Sequence, residues 1–242
     1  MTEFEKRNQE MTTKMANDPA IKEFSKAFFN AANTFEYSYH FTWLGRPIIQ
    51  YPQDIVALQE LIWKVKPQLI VETGVAHGGS LILSASILEI IGGDAQVVGV
   101  DIDIRPHNRA AIEEHPMYRR IRLIEGSSID EAIVNQVRQL AYGKGPVLVI
   151  LDSNHTHEHV LRELELYSPL VGKGSYLVVM DTVVEDMPPG SFTNRPWGPG
   201  DNPKTAVREF LKTNLRFEVD EAFEAKLLLT VAPEGYLKCI AD

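Results

Sequence analysis

From Pro67 onward the sequence repeats one pattern: a short, nearly continuous apolar run, a polar or acidic residue at its end, then a helix-length amphipathic stretch. The runs are LIVET (residues 69–73), QVVGVD (96–101), IRLIEG (121–126), VLVILD (147–152) and SYLVVMD (175–181). Helical stretches follow them from Gly78, after Pro106, near Asp130, near His155 and from Pro203. Strands apolar at successive positions, not alternate ones, need cover on both faces, which is the condition of a parallel sheet wrapped by helices. Two late runs, Phe217–Val219 and Leu227–Val231, are close enough to form an antiparallel pair completing the sheet. Before Lys66 the apolar spacing is helical (Phe24, Phe28, Phe29, then Ile55, Leu58, Ile62), and no Val/Ile-rich run occurs. The expectation is an α/β domain over 67–242 with helices on both faces of its sheet, preceded by an N-terminal helical extension over 1–66. The loop from Val184 to Asn202, rich in Pro and Gly, is long enough to serve as a lid.

Composition narrows the partners. Against 24 Lys+Arg stand 33 Asp+Glu, a formal net charge of −9. Such a chain is not steered toward nucleic acid or an anionic membrane surface. Cys239 is the single cysteine, which excludes an internal disulfide and a cysteine-based zinc site. The start, MTEFEKRNQEM, is too polar for a secretory h-region, and no apolar run approaches the ~20 residues of a membrane span. A cytoplasmic globular protein is expected.

In an open parallel sheet, ligands bind outside the carboxyl ends of the strands. Glu72, Asp101, Glu125, Asp152 and Asp181 all fall there, more carboxylates on one rim than a sheet needs for stability. After the first run comes Gly74-Val75-Ala76-His77-Gly78-Gly79-Ser80, a glycine loop entering a helix whose free N–H groups suit a ligand. The spacing departs from the G-x-G-x-x-G of dinucleotide sites. Glu72 would repel a pyrophosphate but not the methionyl ammonium and sulfonium of S-adenosylmethionine. Asp101, ending the second run, suits the ribose hydroxyls. Taken alone, the loop also fits a plain strand-to-helix turn with a capping acid. Asp101 and the Gly126-Ser127-Ser128 turn favour the cofactor.

The fourth run leads into Asp152-Ser153-Asn154-His155-Thr156-His157-Glu158-His159. His155 lies three residues beyond the strand-end Asp152, and an imidazole with an ordinary pKa of about 6.5 is a natural base for a hydroxyl proton. His157 and His159 are expected to be structural or solvated, with His159 on the following helix. H-x-H-x-H lacks the i, i+4 spacing of a helical zinc site. Asp152 and Asp181 together could hold one magnesium ion, which favours one or two carboxylates and keeps several waters. They fit equally a role as acceptors for loop amides or cofactor.

These segments together are distinctive. ETGVAHGGS, VVGVDID, LDSNHTHEHV and MDTVVEDMP, with the aromatic stretch YSYHFTWLGRPIIQYPQD, resemble the cephalosporin hydroxylase / rhamnosyl O-methyltransferase family from about Phe35 to Leu237. The resemblance implies a Rossmann-like class I methyltransferase with a seven-stranded, mostly parallel sheet whose last strand is antiparallel. It implies S-adenosylmethionine binding by Glu72, Gly74, Ser80, Asp101, the Ser127 region and Asp152. It also implies a D-x-x-H segment at Asp152…His155, in which the aspartate binds magnesium and the histidine removes the hydroxyl proton, and a second metal carboxylate at Asp181. The family commonly has a further carboxylate where this chain has Met180; Asn154, Glu185 and Asp186 are candidates to replace it.

The function expected is S-adenosylmethionine-dependent O-methylation of a sugar or glycosylated small molecule. The alternative is a catalytically weak, cofactor-binding accessory protein of a polysaccharide or natural-product pathway, which Met180 and Asn154 favour and His155 opposes. A nicotinamide-dependent dehydrogenase is disfavoured by the glycine spacing. The aromatics around Tyr39 and Trp43 suit stacking on a sugar face or packing between subunits, and a homo-oligomer is expected.

Overall fold

The computed structural model describes residues 1–242. The chain opens with α1 (Glu3–Ala16) and α2 (Pro19–Asn33), continues through a hairpin, β1 (Phe41–Trp43) and β2 (Arg46–Ile48), and reaches α3 (Pro52–Val65). Strand and helix then alternate: β3 (Leu69–Thr73), α4 (Gly79–Ile91), β4 (Gln96–Asp101), α5 (Pro106–Glu113), β5 (Ile121–Glu125), α6 (Glu131–Ala141), β6 (Val147–Leu151), α7 (His157–Tyr167) and β7 (Tyr176–Val179). The C-terminal part holds α8 (Pro203–Thr213), β8 (Phe217–Val219), a short α9 (Glu221–Glu224) and β9 (Tyr236–Cys239). No helix is long and apolar enough to cross a membrane.

The seven-stranded sheet runs β5-β4-β3-β6-β7-β9-β8. Strands β3 to β7 pair in parallel, and β9 is antiparallel to both of its neighbours. The order reverses between β4 and β6 on either side of β3, so the loops leaving β3 and β6 diverge around a crevice, the position where doubly wound sheets bind ligands.

Side-chain parity divides the core. Ile70, Leu148, Ile150, Tyr176, Val178 and Met180 face one side, packed with Leu58, Leu61 and Ile62 of α3 and Leu81 and Ile82 of α4. Leu69, Val71, Val149, Leu151, Leu177 and Val179 face the other, against Val137, Leu164, Val207 and Phe210. Both faces are covered, which is why the runs are apolar at every position. Ile48 and Tyr51 share the first of these cores, so the segment from β2 through α3 packs against the sheet, whereas α1 buries no residue.

Two expectations are corrected. The partner of β8 is β9, in register Phe217↔Cys239, and not Leu227–Val231. The latter run is apolar but cannot extend: Leu228 has φ 57°, and the Asp54 carboxylate accepts hydrogen bonds from Thr230 Oγ1 and from the Val231 amide (2.9 Å). The helical extension before Lys66, with its aromatic stretch from Tyr37 to Pro47 expected as a loop, contains the β1–β2 hairpin in that stretch. Its two-residue turn, Leu44 (φ 46°) and Gly45 (φ 86°), has the doubly positive φ that matches strand twist.

Candidate active site

The glycine loop after β3 is shaped by close approach. At Gly74 (φ 89°) a Cβ would overlap the carbonyl oxygen of Asp152, so only glycine lets the loops after β3 and β6 touch. At Gly79 a Cβ would overlap the carbonyl oxygen of Pro47, which brings β2 itself across the same loop. Arg46, the first residue of β2, fastens that strand, donating from Nε and Nη2 to the His77 carbonyl (3.0 and 2.6 Å) and from Nη2 to Asn108 Oδ1 (3.3 Å).

Glu72 is buried on the α3/α4 side of the sheet. One carboxylate oxygen accepts a hydrogen bond from Ser80 Oγ, whereas the other, Oε2, is buried with no partner. Burial pushes this carboxyl up to about 7 against the opposing pull of Ser80. Asp101 is already engaged by the glycine loop: Oδ2 accepts from the amides of Val75 (2.8 Å) and Ala76 (3.3 Å), and Oδ1 from that of Asp103 (3.1 Å). Ser127 is half-buried in the turn before α6, its carbonyl accepting from the Asp130 amide at 3.0 Å. The remaining rim carboxylate, Glu125, pairs with Arg109 at 2.7 Å, on the outside of the sheet.

Asp152, His155 and Asp181 converge. One ligand atom from each lies within 4.8 Å of the others. His155 Nε2 is 3.2 Å from Asp181 Oδ2, and the Trp197 ring meets the imidazole edge-on, centroids 4.8 Å apart. Asp181 holds the left-handed conformation (φ 55°), an unfavourable state for a non-glycine residue and of the kind found at functional sites. Burial, then the charges of Asp181 and Glu72, hold the Asp152 carboxyl well above the usual carboxylate range. The two carboxylates are oxygen donors of the kind a hard divalent cation takes, with the imidazole beside them.

Met180 contributes nothing to this set. By parity it follows Tyr176 and Val178 into the core, where it is 1% exposed. The candidates to replace a missing carboxylate are employed elsewhere. Asn154 Oδ1 accepts from the amide and hydroxyl of Thr156 (both 2.9 Å), Glu185 accepts from the Gly200 amide (2.7 Å) and Asn202 Nδ2, and Asp186 pairs with Lys204 (2.5 Å). These contacts also tie down both ends of the Val184–Asn202 loop, whose Trp197 covers His155.

The neighbouring histidines point elsewhere. His157, at the start of α7, bridges to α8 through Thr205 Oγ1 (2.8 Å) and Glu209 (3.3 Å). His159 lies on α7 in a buried network, its Nε2 3.0 Å from Ser128 Oγ and 3.3 Å from Ser153 Oγ, while Ser153 donates to Glu163 Oε1 (2.7 Å).

With this geometry the chain can be compared with known proteins. Residues 35–240 match the family described as Rhamnosyl O-methyltransferase/CmcI. The chain belongs to that family. Among its relatives, the Rhamnosyl O-methyltransferase of Mycobacterium bovis (strain BCG / Pasteur 1173P2) is 33% identical over 203 residues, covering 81% of this chain and 77% of that protein. The Rhamnosyl O-methyltransferase of Mycobacterium leprae (strain TN) is 32% identical over 197 residues, covering 81% and 82%. A solved CmcI structure with Mg and SAM superposes with TM-score 0.58 at 21% identity, over 84% of this chain and 78% of that one. An O-methyltransferase from Bacillus cereus in complex with SAH gives TM-score 0.52 at 18% identity, over 83% and 82%. These two likenesses are of fold: the Rossmann-like sheet of S-adenosylmethionine-dependent methyltransferases.

Within this Rhamnosyl O-methyltransferase/CmcI member, Trp197, Arg46 and the Ser128–His159–Ser153–Glu163 network were not legible as parts of the site. Trp197 stood in a loop marked only by its length and its Pro and Gly content. Arg46 lies 31 residues from the carbonyl that it holds. The i, i+4 spacing of His159 and Glu163 was the one available signal for the network.

Proposed function

We propose that this protein transfers the methyl group of S-adenosylmethionine to a hydroxyl of a sugar or glycosylated small molecule, with His155 as the general base. The observation that carries the reading is the convergence of His155, Asp152 and Asp181 beside the glycine loop in a chain of this family. The named activity of the mycobacterial relatives supports a sugar acceptor.

The acceptor O–H gives its proton to His155 as its oxygen forms a bond to the methyl carbon. When bound, S-adenosylmethionine would supply that methyl group and leave as S-adenosylhomocysteine, the electron pair of the broken S–CH3 bond staying on sulfur. Asp181, 3.2 Å from Nε2, is an ion-pair partner for the imidazolium so formed, and the edge-on Trp197 ring limits rotation of the imidazole and keeps water from it. Most of the acceleration comes from alignment of sulfur, methyl and oxygen. Glu72, Gly74, Ser80, Asp101, Ser127 and Asp152 are read as the cofactor's bed: Glu72 has an unsatisfied buried oxygen for a cation, and Asp101 has lone pairs left beyond its three amide bonds.

Asp152 and Asp181 fit magnesium and are the residues that would hold it. When bound, the ion would lower the pKa of an acceptor hydroxyl and fix its orientation.

Residues 1–66 are read as a cap on the 67–242 methyltransferase domain, supported by the Arg46–His77 bonds across the glycine loop. The helices at its start are read as a surface for self-association, supported by exposed Phe4, Phe24 and Phe28, with Phe35 exposed just beyond them. The test of the function is methyl transfer from labelled S-adenosylmethionine to rhamnosides and other deoxyhexosides, with and without magnesium. Transfer to a sugar hydroxyl is expected, and cofactor binding without transfer to any glycoside would favour the accessory-protein reading.

A further inference from the structure

The segment that crosses the glycine loop carries polar atoms with nothing to bond to. Gln50 is 2% exposed, and its Oε1 is buried without a hydrogen-bond partner. Next to it, the Tyr51 hydroxyl is in the same state. Buried side-chain acceptors are nearly always satisfied in folded proteins, so an orphan on a wall of a cleft points to a donor on a ligand. Gln50 is on such a wall. The cleft beneath it is lined by Gln50 and Ile48 on one side and by Gly74, His77, Ser80 and Asp152 on the other.

We propose that Gln50 is a cofactor-binding residue whose side-chain carbonyl accepts a hydrogen bond from the ammonium group at the methionyl end of S-adenosylmethionine. The inference rests on the cofactor reading above and goes beyond it by assigning a ligand to the N-terminal segment. The chemistry of the cleft selects that end of the cofactor. Ser80, on the opposite wall, donates to Glu72, whose second oxygen is also unpartnered, and Asp152 completes an acceptor-rich surround. An ammonium brings three N–H donors into a place that offers acceptors. The ribose-binding candidate, Asp101, instead lies at the far side of the Val75–Ala76 amides that it holds. A carboxamide also suits the site because it accepts without adding charge beside Glu72 and Asp152.

Binding of two ligands to the full-length protein tests the assignment by calorimetry. S-adenosylhomocysteine carries the amino-acid end, whereas 5′-methylthioadenosine keeps the adenosine and sulfur but lacks it. Gln50→Met is expected to weaken S-adenosylhomocysteine about tenfold or more, the effect of losing a hydrogen bond to a charged group, while leaving 5′-methylthioadenosine within about twofold. Because the ratio of the two affinities is read on folded molecules, a lowered melting temperature does not obscure it. Equal losses for both ligands in Gln50→Met, or no loss for either, would overturn the role of Gln50. An unaltered protein that binds neither ligand would overturn the cofactor reading itself, a separate outcome.

Discussion

Arg46 reaches across from the end of the N-terminal hairpin to hold the carbonyl oxygen of His77 with two hydrogen bonds, at 3.0 and 2.6 Å. This joins the N-terminal segment to the glycine loop that we propose as the cofactor bed. Arg46→Ala removes a charged donor from a half-buried site. We expect a loss of about 1.5–3 kcal/mol in stability and about tenfold weaker S-adenosylhomocysteine binding, measured by denaturant unfolding and calorimetry. Unchanged cofactor affinity would mean that the segment does not shape the bed.

Glu72 makes the protein pH-sensitive in a definite direction. Burial raises its carboxyl from an ordinary 4.5 to about 7, so the folded protein holds a proton that the unfolded chain releases. Its contribution to stability is therefore full below pH 4.5 and declines as pH rises to about 7, by on the order of 3 kcal/mol at most. Glu72→Gln should flatten part of this slope, leaving the share of Asp152 (raised well above the usual range), Asp54 (raised to about 6) and Glu224 (raised to about 7). Cofactor binding has the opposite dependence, since an ammonium favours the ionised carboxylate. Affinity for S-adenosylhomocysteine should rise with pH toward and past 7, with proton release at neutral pH, and Glu72→Gln should abolish the release. Calorimetry in buffers of different ionisation enthalpy reads this directly.

The metal site is expected to consist of Asp152 and Asp181 alone among the carboxylates. Magnesium at a hundredfold excess over its Kd should stabilise the protein by about 2.7 kcal/mol, an effect that chelator reverses and Asp181→Asn removes. Met180→Glu should not tighten magnesium binding, although its residue type suggests a missing ligand. The side chain is buried in the core, and an unpaired carboxylate there should cost about 3–5 kcal/mol. An Asp181→Asn protein that keeps its magnesium-dependent rise in melting temperature would exclude this site.

Self-association through α2 is expected from Ile21, Phe24 and Phe28, which lie exposed at i, i+3 and i+7 on one helix face. Light scattering should show an oligomer that the double substitution Phe24→Ser, Phe28→Ser reduces to a monomer. A monomeric unaltered protein would contradict the reading.

How far the sequence reached can be traced to individual residues. The rim was legible because each parallel strand ends where its apolar run ends, which located Asp101, Asp152 and Asp181 without any long-range information. The last strand was not. Leu227–Val231 is the more apolar candidate, but the sheet takes Tyr236–Cys239, because Asp54, more than 170 residues earlier, claims the Thr230 hydroxyl and the Val231 amide. Met180 shows a related limit. Its identity was plain, but whether it faces the rim or the core depends on strand parity up to the last residue before Asp181 turns into the left-handed region. Gln50 and Arg46 were hidden for a different reason: a polar residue in a connecting segment acquires a role only through what the fold brings against it.

The central claim is that His155 takes the acceptor's proton, and single-turnover methyl transfer by His155→Ala tests it most directly. S-adenosylhomocysteine binding and the melting temperature should stay near those of the unaltered protein, while the rate of transfer falls by about 10²–10⁴, the usual range for losing a general base. His157→Ala, which breaks only the bridge to Thr205 and Glu209, should lose far less turnover per folded molecule. A His155→Ala protein that transfers methyl groups at the full rate would contradict the mechanism.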